Sequence, residues 1–140
     1  MRVVILLAMG AALAPIPIQA QTPPAVVLNG FMALADQGPI LAVDTWFRGS
    51  RLENDAGTKQ TFVEQFQIFG QAAGAVVGHD LIAVHELSPN YSTTYAIIRY
   101  ERDPLFIALE AYNGTDGWRL INIEFNDKVA EVFPAGVREP

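Results

Sequence analysis

The sequence contains no cysteine and few basic residues. Without cysteine the chain has neither disulfides, which would constrain its unfolded state, nor a cysteine-linked lipid anchor, so packing alone must stabilise the fold. Nine lysines and arginines stand against fifteen aspartates and glutamates, which gives a formal net charge of −6 at pH 7. The basic residues are scattered singly along the chain. Nucleic acid and anionic membrane surfaces are therefore not expected as partners, because both are bound through clustered positive charge.

Histidine is also scarce, and this limits metal chemistry. The two histidines, His79 and His85, stand six residues apart in a segment predicted to be extended. At about 3.3 Å per residue this spacing separates them by roughly 20 Å. The sequence has no pair of histidines at helical spacing, and the glycine-rich motifs that cradle phosphates are absent as well. We therefore expect no metal and no cofactor.

The first twenty residues have the pattern of a secretory signal peptide. A basic residue, Arg2, precedes an almost wholly apolar run from Val3 to Leu13, and two prolines follow before the small residue Ala20. The competing interpretation is a membrane-tethering helix, but the apolar run is short for a bilayer span. Cleavage after Ala20 would leave residues 21–140 as a single exported domain, periplasmic or extracellular, with no membrane attachment.

Four consecutive strands are predicted in the second half of the chain. Runs rich in β-branched and aromatic residues alternate with short segments rich in proline, asparagine and glycine, and the runs cover Asp80–Ser88, Tyr91–Glu101, Leu105–Tyr112 and Trp118–Phe125. Gaps this short join antiparallel neighbours, because a parallel crossover needs about a dozen residues or more. The sequence thus predicts a four-stranded antiparallel meander.

Helices are predicted before the sheet. An apolar face with helical spacing runs from the two prolines at 23 and 24 to Gly38. A second, short helix is predicted over Ile40–Arg48, where a strand is the alternative. A third helix is predicted from Thr58, with an apolar stripe formed by Phe62, Val63, Phe66 and Phe69. Glycines at 70, 74 and 78 are interpreted as the end of this helix and a turn into the sheet. The predicted fold class is therefore α+β, with N-terminal helices packed on a curved antiparallel sheet.

Strict alternation along the four strands leaves apolar residues on both faces of the predicted sheet. A sheet that is apolar on both sides needs cover on both sides. The helices can cover one face. The other face requires either the C-terminal segment around Val129, Val132 and Phe133 or a second subunit, and we expect a homodimer through this outer face.

The last strand opens with the sequence Asp-Gly-Trp-Arg-Leu at positions 116–120, after a strand that carries Phe106 and Tyr112, and the first helix ends at Gly38. In this layout the chain resembles the nuclear-transport-factor-2-like superfamily. The resemblance implies a cone-shaped α+β fold with a pocket between the helices and the concave side of the sheet. The residues expected to line this pocket are Phe31, Trp46, Phe62, Phe66, His85, Trp118 and Asn122.

The leading functional interpretation is an exported domain that binds a small hydrophobic ligand in this pocket, or a partner through its sheet, without catalysing a reaction. The alternative is a small isomerase or lyase acting on a hydrophobic carbonyl compound. Such an enzyme needs a carboxylate base and a hydrogen-bond donor for the oxyanion in one apolar pocket. The candidates are Asp44 as the base, with Tyr95 or Glu110 opposite it. A third interpretation is a purely protein-binding role against a basic partner.

Overall fold

Three helices precede one antiparallel sheet in the computed structural model, which describes residues 21–139. The elements are α1 (Ala25–Gln37), α2 (Pro39–Phe47), α3 (Ala56–Ala73), β1 (Val76–Ser88), β2 (Tyr91–Tyr100), β3 (Pro104–Gly114), β4 (Gly117–Asn126), α4 (Val129–Val132) and α5 (Ala135–Arg138). The strand order is β1-β2-β3-β4, and each neighbouring pair is antiparallel. This confirms the predicted α+β class and the antiparallel sheet. The predicted signal peptide lies outside the described residues.

Local signals determine where the helices begin and end. α1 ends at Gly38, whose φ of 92° favours glycine. Pro39 occupies the first turn of α2, so the segment predicted as either helix or strand is helical. α3 begins at Ala56 rather than at the predicted Thr58, because Asp55 caps it. The Asp55 carboxylate accepts hydrogen bonds from the Thr58 backbone N–H at 3.1 Å and from the Thr58 hydroxyl at 2.8 Å.

The core lies between the helices and one face of the sheet, which we call the inner face. Its central side chain is Trp46 of α2, which is fully buried. The indole Nε1–H of Trp46 donates a hydrogen bond to the Val27 carbonyl oxygen of α1 at 3.1 Å. The indole meets the Phe31 ring edge-on, with ring centroids 5.5 Å apart. Gly30 lies directly beneath the indole, and a Cβ atom at this position would overlap it. α1 and α2 therefore approach closely because position 30 carries no side chain.

A bulge in β4 changes which of its residues face the helices. Ile121 is an extra residue relative to β3. Such an insertion shifts the alternation by one position, so side chains two residues apart across it point to opposite faces. Trp118 and Leu120 before the bulge, and Ile123 and Phe125 after it, accordingly all pack on the inner-face core. Strict alternation had predicted these two pairs on opposite faces.

The edge strand β1 contains three such irregularities. Val77, Ile82 and Leu87 are extra residues relative to β2, and all three side chains are exposed. The strand also begins at Val76, before the predicted Asp80, and so includes the segment that had been interpreted as a turn. Bulges twist an edge strand and interrupt its row of free hydrogen-bonding groups. This edge is therefore poorly suited to direct pairing with another strand.

The C-terminal segment covers part of the opposite face, which we call the outer face. Val132 and Phe133 are buried there. The Phe133 ring meets the rings of Tyr95 and Phe106 edge-on, each at a centroid distance of 5.5 Å. The sequence analysis gave two possible covers for the outer face, the C-terminal segment or a second subunit. The C-terminal segment covers the half of this face around Tyr95 and Phe106. The homodimer stays a prediction.

The close contact between α1 and α2 can be tested by adding one methyl group. Gly30→Ala is expected to lower the free energy of unfolding by about 1–3 kcal/mol or more, because the new Cβ displaces the Trp46 indole. Gly57→Ala is the matched control, since Gly57 is an exposed glycine in the first turn of α3 with room for a Cβ. It should leave stability unchanged or raise it by about 0.5–1 kcal/mol. Urea denaturation followed by circular dichroism measures both, and equal stability of the two variants would contradict the packing described.

Candidate functional site

An apolar pocket of about 300 Å³ opens between the helices and one end of the sheet. We call it the helix-side pocket. Residues from α1, α2, α3, β1, β2 and the turns between them line it: Leu34, Ala35, Gly38, Pro39, Phe66, Gln67, Gly70, Gly74, Ala75, Val76 and Tyr100. Gln67 and Tyr100 carry the polar side chains of this lining. The rest is aliphatic, aromatic or glycine, so the pocket suits an uncharged apolar molecule.

Tyr100 provides a polar group in the buried wall of this pocket. The residue is 7% exposed, and its ring meets that of Phe69 edge-on at 4.9 Å. A Cβ atom on Gly70 of α3 would lie 3.7 Å from the Tyr100 ring, so the helix backbone and this ring lie close together. Burial raises the pKa of the Tyr100 phenol to about 12. The hydroxyl therefore stays protonated, and able to donate a hydrogen bond, at any physiological pH.

Sequence reasoning did not single out Tyr100 as a site residue. A signal was present, because Tyr100 lies near the end of the second predicted strand, Tyr91–Glu101, on the same face as Ala96 and Ile98. Both of these residues are buried in the inner-face core. A tyrosine on the apolar face of a strand predicts that its hydroxyl lies in or beside the buried core.

The aromatic residues predicted to line a pocket all lie on the inner side of the sheet. Phe31 and Trp46 are almost completely buried in the core, whereas Phe62 and Trp118 are partly buried and pack against it. Phe66 is also buried, and it lines the helix-side pocket as well. The structure thus brings the predicted aromatic residues together in one layer. Of these residues, Phe66 lines the helix-side pocket.

The polar residues predicted for the same pocket lie elsewhere, on the outer face. His85, Thr93, Glu110 and Asn122 stand opposite one another in register, one on each strand. At the usual strand spacing of about 4.8 Å they form a continuous polar row across the sheet. The bulge at Ile82 helps to put His85 on this face. The structure therefore separates His85 and Asn122 from the aromatic residues with which the sequence analysis grouped them.

Two tyrosines flank this polar row and interact with its carboxylate. The pKa of the Tyr91 phenol is raised first by burial and then by the nearby Glu110 carboxylate. The pKa of Tyr95 is likewise raised, first by burial and then by the charges of Glu110 and Glu124. Both phenols are consequently neutral hydrogen-bond donors beside an acceptor.

A wider cleft adjoins the row, between β1 and the C-terminal helix α5. Its volume is about 640 Å³, and its lining consists of Ile82, Ala83, Val84, His85, Tyr95, Pro134, Gly136, Val137 and Glu139. We call it the outer-face cleft. Two predicted site residues, His85 and Tyr95, are thus brought into one concave site.

The groups proposed for an isomerase are not brought together. Asp44 belongs to α2 on the inner side of the sheet and forms an ion pair with Lys59 of α3, at 2.5 Å. Tyr95 packs in the outer-face cluster around Phe133, and Glu110 lies on that same face. The sheet therefore separates the candidate base from both candidate donors.

The two histidines also face opposite sides. His79 lies on the inner side, with its ring stacked on that of Phe31 at a centroid distance of 4.6 Å. Burial lowers the pKa of His79, and Arg99 contributes in the same direction against the opposing effect of Asp80. His85 belongs to the outer row. Within residues 21–139, no three histidine, aspartate or glutamate side chains are grouped closely enough to hold a metal ion.

Comparisons with protein-family models, with curated proteins and with solved structures found no match to this chain. Among the described residues, every helix is too short or too polar to span a bilayer.

The buried phenol of Tyr100 predicts a loss of stability at alkaline pH. Because its pKa is about 12 in the folded protein and about 10 when unfolded, the folded state retains a proton that the unfolded state loses. The stabilisation is therefore fully present below pH 10 and is lost as the pH rises towards 12. The free energy of unfolding should fall over this interval by up to about 1.4 kcal/mol per pH unit from this residue.

Urea denaturation between pH 9 and pH 11.5 measures this slope. In Tyr100→Phe the free energy of unfolding should fall less steeply with pH, by most of the ~1.4 kcal/mol per pH unit that Tyr100 contributes. Tyr112→Phe is the matched control, since Tyr112 is exposed and Tyr100 is intact in this variant. An equal slope in wild type and Tyr100→Phe would show that the phenol is not buried.

Proposed function

We propose that this chain is an exported domain of the nuclear-transport-factor-2-like type, which binds a small hydrophobic molecule without converting it. The order of helices followed by an antiparallel four-stranded sheet supports the assignment to this type. The observation that carries the binding role is the helix-side pocket, an apolar recess with the protonated hydroxyl of Tyr100 in its wall.

The lining indicates the chemistry of the ligand. A recess of about 300 Å³ is at the small end of ligand sites, so it accommodates a compact molecule such as a substituted benzene. Phe66, Leu34 and Val76 offer apolar contact, and Tyr100 offers a hydrogen bond donor. The matching ligand is uncharged, mostly hydrocarbon, and carries one acceptor such as a ketone or ester oxygen. A charged ligand would lose its hydration without gaining an ionic partner.

The proposal is limited to binding because the acid–base candidates lie apart. Asp44 is engaged by Lys59 in the helical layer, and Tyr95 and Glu110 belong to the opposite face. General acid–base catalysis requires both groups within hydrogen-bond reach of one substrate. Among residues 21–139, the side chains that line the helix-side pocket include no carboxylate.

Paired ligands that differ in one oxygen test this proposal. Acetophenone has a carbonyl acceptor, and ethylbenzene has nearly the same shape without it. In titrations monitored by amide chemical shifts, both should bind and shift residues around Tyr100. Acetophenone should bind about twofold to tenfold more tightly, as one hydrogen bond of about 0.5–1.5 kcal/mol provides. In Tyr100→Phe this preference should disappear while ethylbenzene binding is retained.

A blocking variant supplies the second arm of the experiment. Ala35 is exposed at the edge of the pocket, so Ala35→Phe should place a ring in the opening without disturbing the core. Binding of both compounds should then be lost. Met32→Phe, an exposed position on the same helix that is not part of the lining, is the matched control and should bind as wild type does. Shifts confined to the outer face, or none in wild type, would contradict the proposal.

A further inference from the structure

The part of the outer face left uncovered by the C-terminal segment has an unusual combination of side chains. Tyr91 and Tyr112 stand directly opposite each other on β2 and β3, so both side chains leave the same face of the sheet. Tyr112 is 49% exposed. The neighbouring row places Glu110 and Asn122 beside this pair, with His85 at the far side of the sheet. We call these five residues the tyrosine face.

Each group on the tyrosine face has a role in binding polyhydroxylated molecules. A pyranose ring presents C–H bonds on its flat side and hydroxyl groups around its edge. Aromatic rings exposed on a flat surface pack against the C–H side. A carboxylate such as Glu110 accepts hydrogen bonds from hydroxyls, whereas an amide such as Asn122 and an imidazole such as His85 both donate and accept. A row that alternates these groups can satisfy hydroxyls that are themselves donors and acceptors.

The charges around the tyrosine face argue against anionic ligands. Glu110 and Glu124 on β3 and β4 would repel phosphate or sulfate groups, which also disfavours nucleic acid bases stacked on the tyrosines. Arg119 lies in register with Tyr112 but is paired with Asp116 at 2.6 Å, so it offers little free positive charge to an anion. The carboxylates, the amide and the imidazole of this surface can all accept hydrogen bonds from hydroxyl groups, which suits a ligand rich in hydroxyls.

We propose that the tyrosine face and the adjoining outer-face cleft bind a short, neutral oligosaccharide. One sugar unit packs on the exposed ring of Tyr112 while its hydroxyls bond to Glu110 and Asn122. His85 belongs to both the polar row and the outer-face cleft. The bound oligosaccharide therefore continues from the sheet surface into this cleft, whose volume is about 640 Å³. This site lies on the opposite side of the sheet from the helix-side pocket and is independent of it.

A panel of neutral oligosaccharides tests the inference: cellohexaose, laminarihexaose, maltohexaose and fully N-acetylated chitotriose. Each is titrated into the purified protein and monitored by amide chemical shifts and calorimetry. We expect at least one to bind and to shift residues of β2, β3 and β4 around Tyr112. Tyr112→Ala should weaken that binding roughly tenfold or more, as loss of a stacking ring does. Asn122→Ala should weaken it by a smaller factor.

Control variants separate this site from the helical side. Ile68→Ala removes an exposed apolar side chain of α3 and should leave oligosaccharide binding unchanged. Ala35→Phe should also leave it unchanged, and Tyr112→Ala should leave acetophenone binding unchanged, so the two sites can fail independently. Failure of every neutral sugar to bind would overturn the inference. So would binding that Tyr112→Ala does not weaken, or a preference of the same surface for heparin or a polylysine peptide.

Discussion

The indole of Trp46, seated over Gly30, is the contact on which the helical layer depends. A tryptophan can lie this close to the backbone of another helix only where that backbone lacks a side chain, and the hydrogen bond to the Val27 carbonyl satisfies the buried indole N–H. The contact fixes α1 against α2 at the centre of the core. Because α1 also contributes Leu34 and Ala35 to the helix-side pocket, the position of one pocket wall follows from the same contact.

The sheet divides the chemistry of the protein between its two faces. On the inner face the aromatic residues are used for packing, and the recess that remains is small and apolar. On the outer face Phe133 covers the apolar half around Tyr95 and Phe106, which leaves the polar half open. With no cysteine in the sequence, the fold has no disulfide to stabilise it, so the packing of the inner face and of the apolar half of the outer face must do so. An apolar recess on the inner side and an open polar row on the outer side therefore coexist in one small domain.

The sequence located the four strands and the three N-terminal helices, although it left α2 open between helix and strand and did not predict α4 and α5. It did not determine which residues share a face of the sheet. Turn residues and β-branched runs located all four strands, and Pro39 and Gly38 marked the junction of the first two helices. The bulges at Ile82 and Ile121 could not be predicted, because neither position carries the glycine that often marks a bulge. Each bulge reverses the alternation beyond it, so residues assigned to one pocket by counting lie on different faces. His85, Glu110 and Asn122 could be named from the sequence, but their alignment in one row depends on registers that only the three-dimensional pairing supplies.

The most direct test of this account is the solvent exposure of Trp46 in a variant that retains it as the sole tryptophan. The sequence has two tryptophans, so Trp118→Phe leaves the fluorescence of Trp46 to be observed alone. The account predicts blue-shifted emission that acrylamide scarcely quenches until urea unfolds the protein, because the indole is fully buried against α1. Red-shifted emission, quenched in the folded protein as readily as in the unfolded chain, would contradict the helical packing described here.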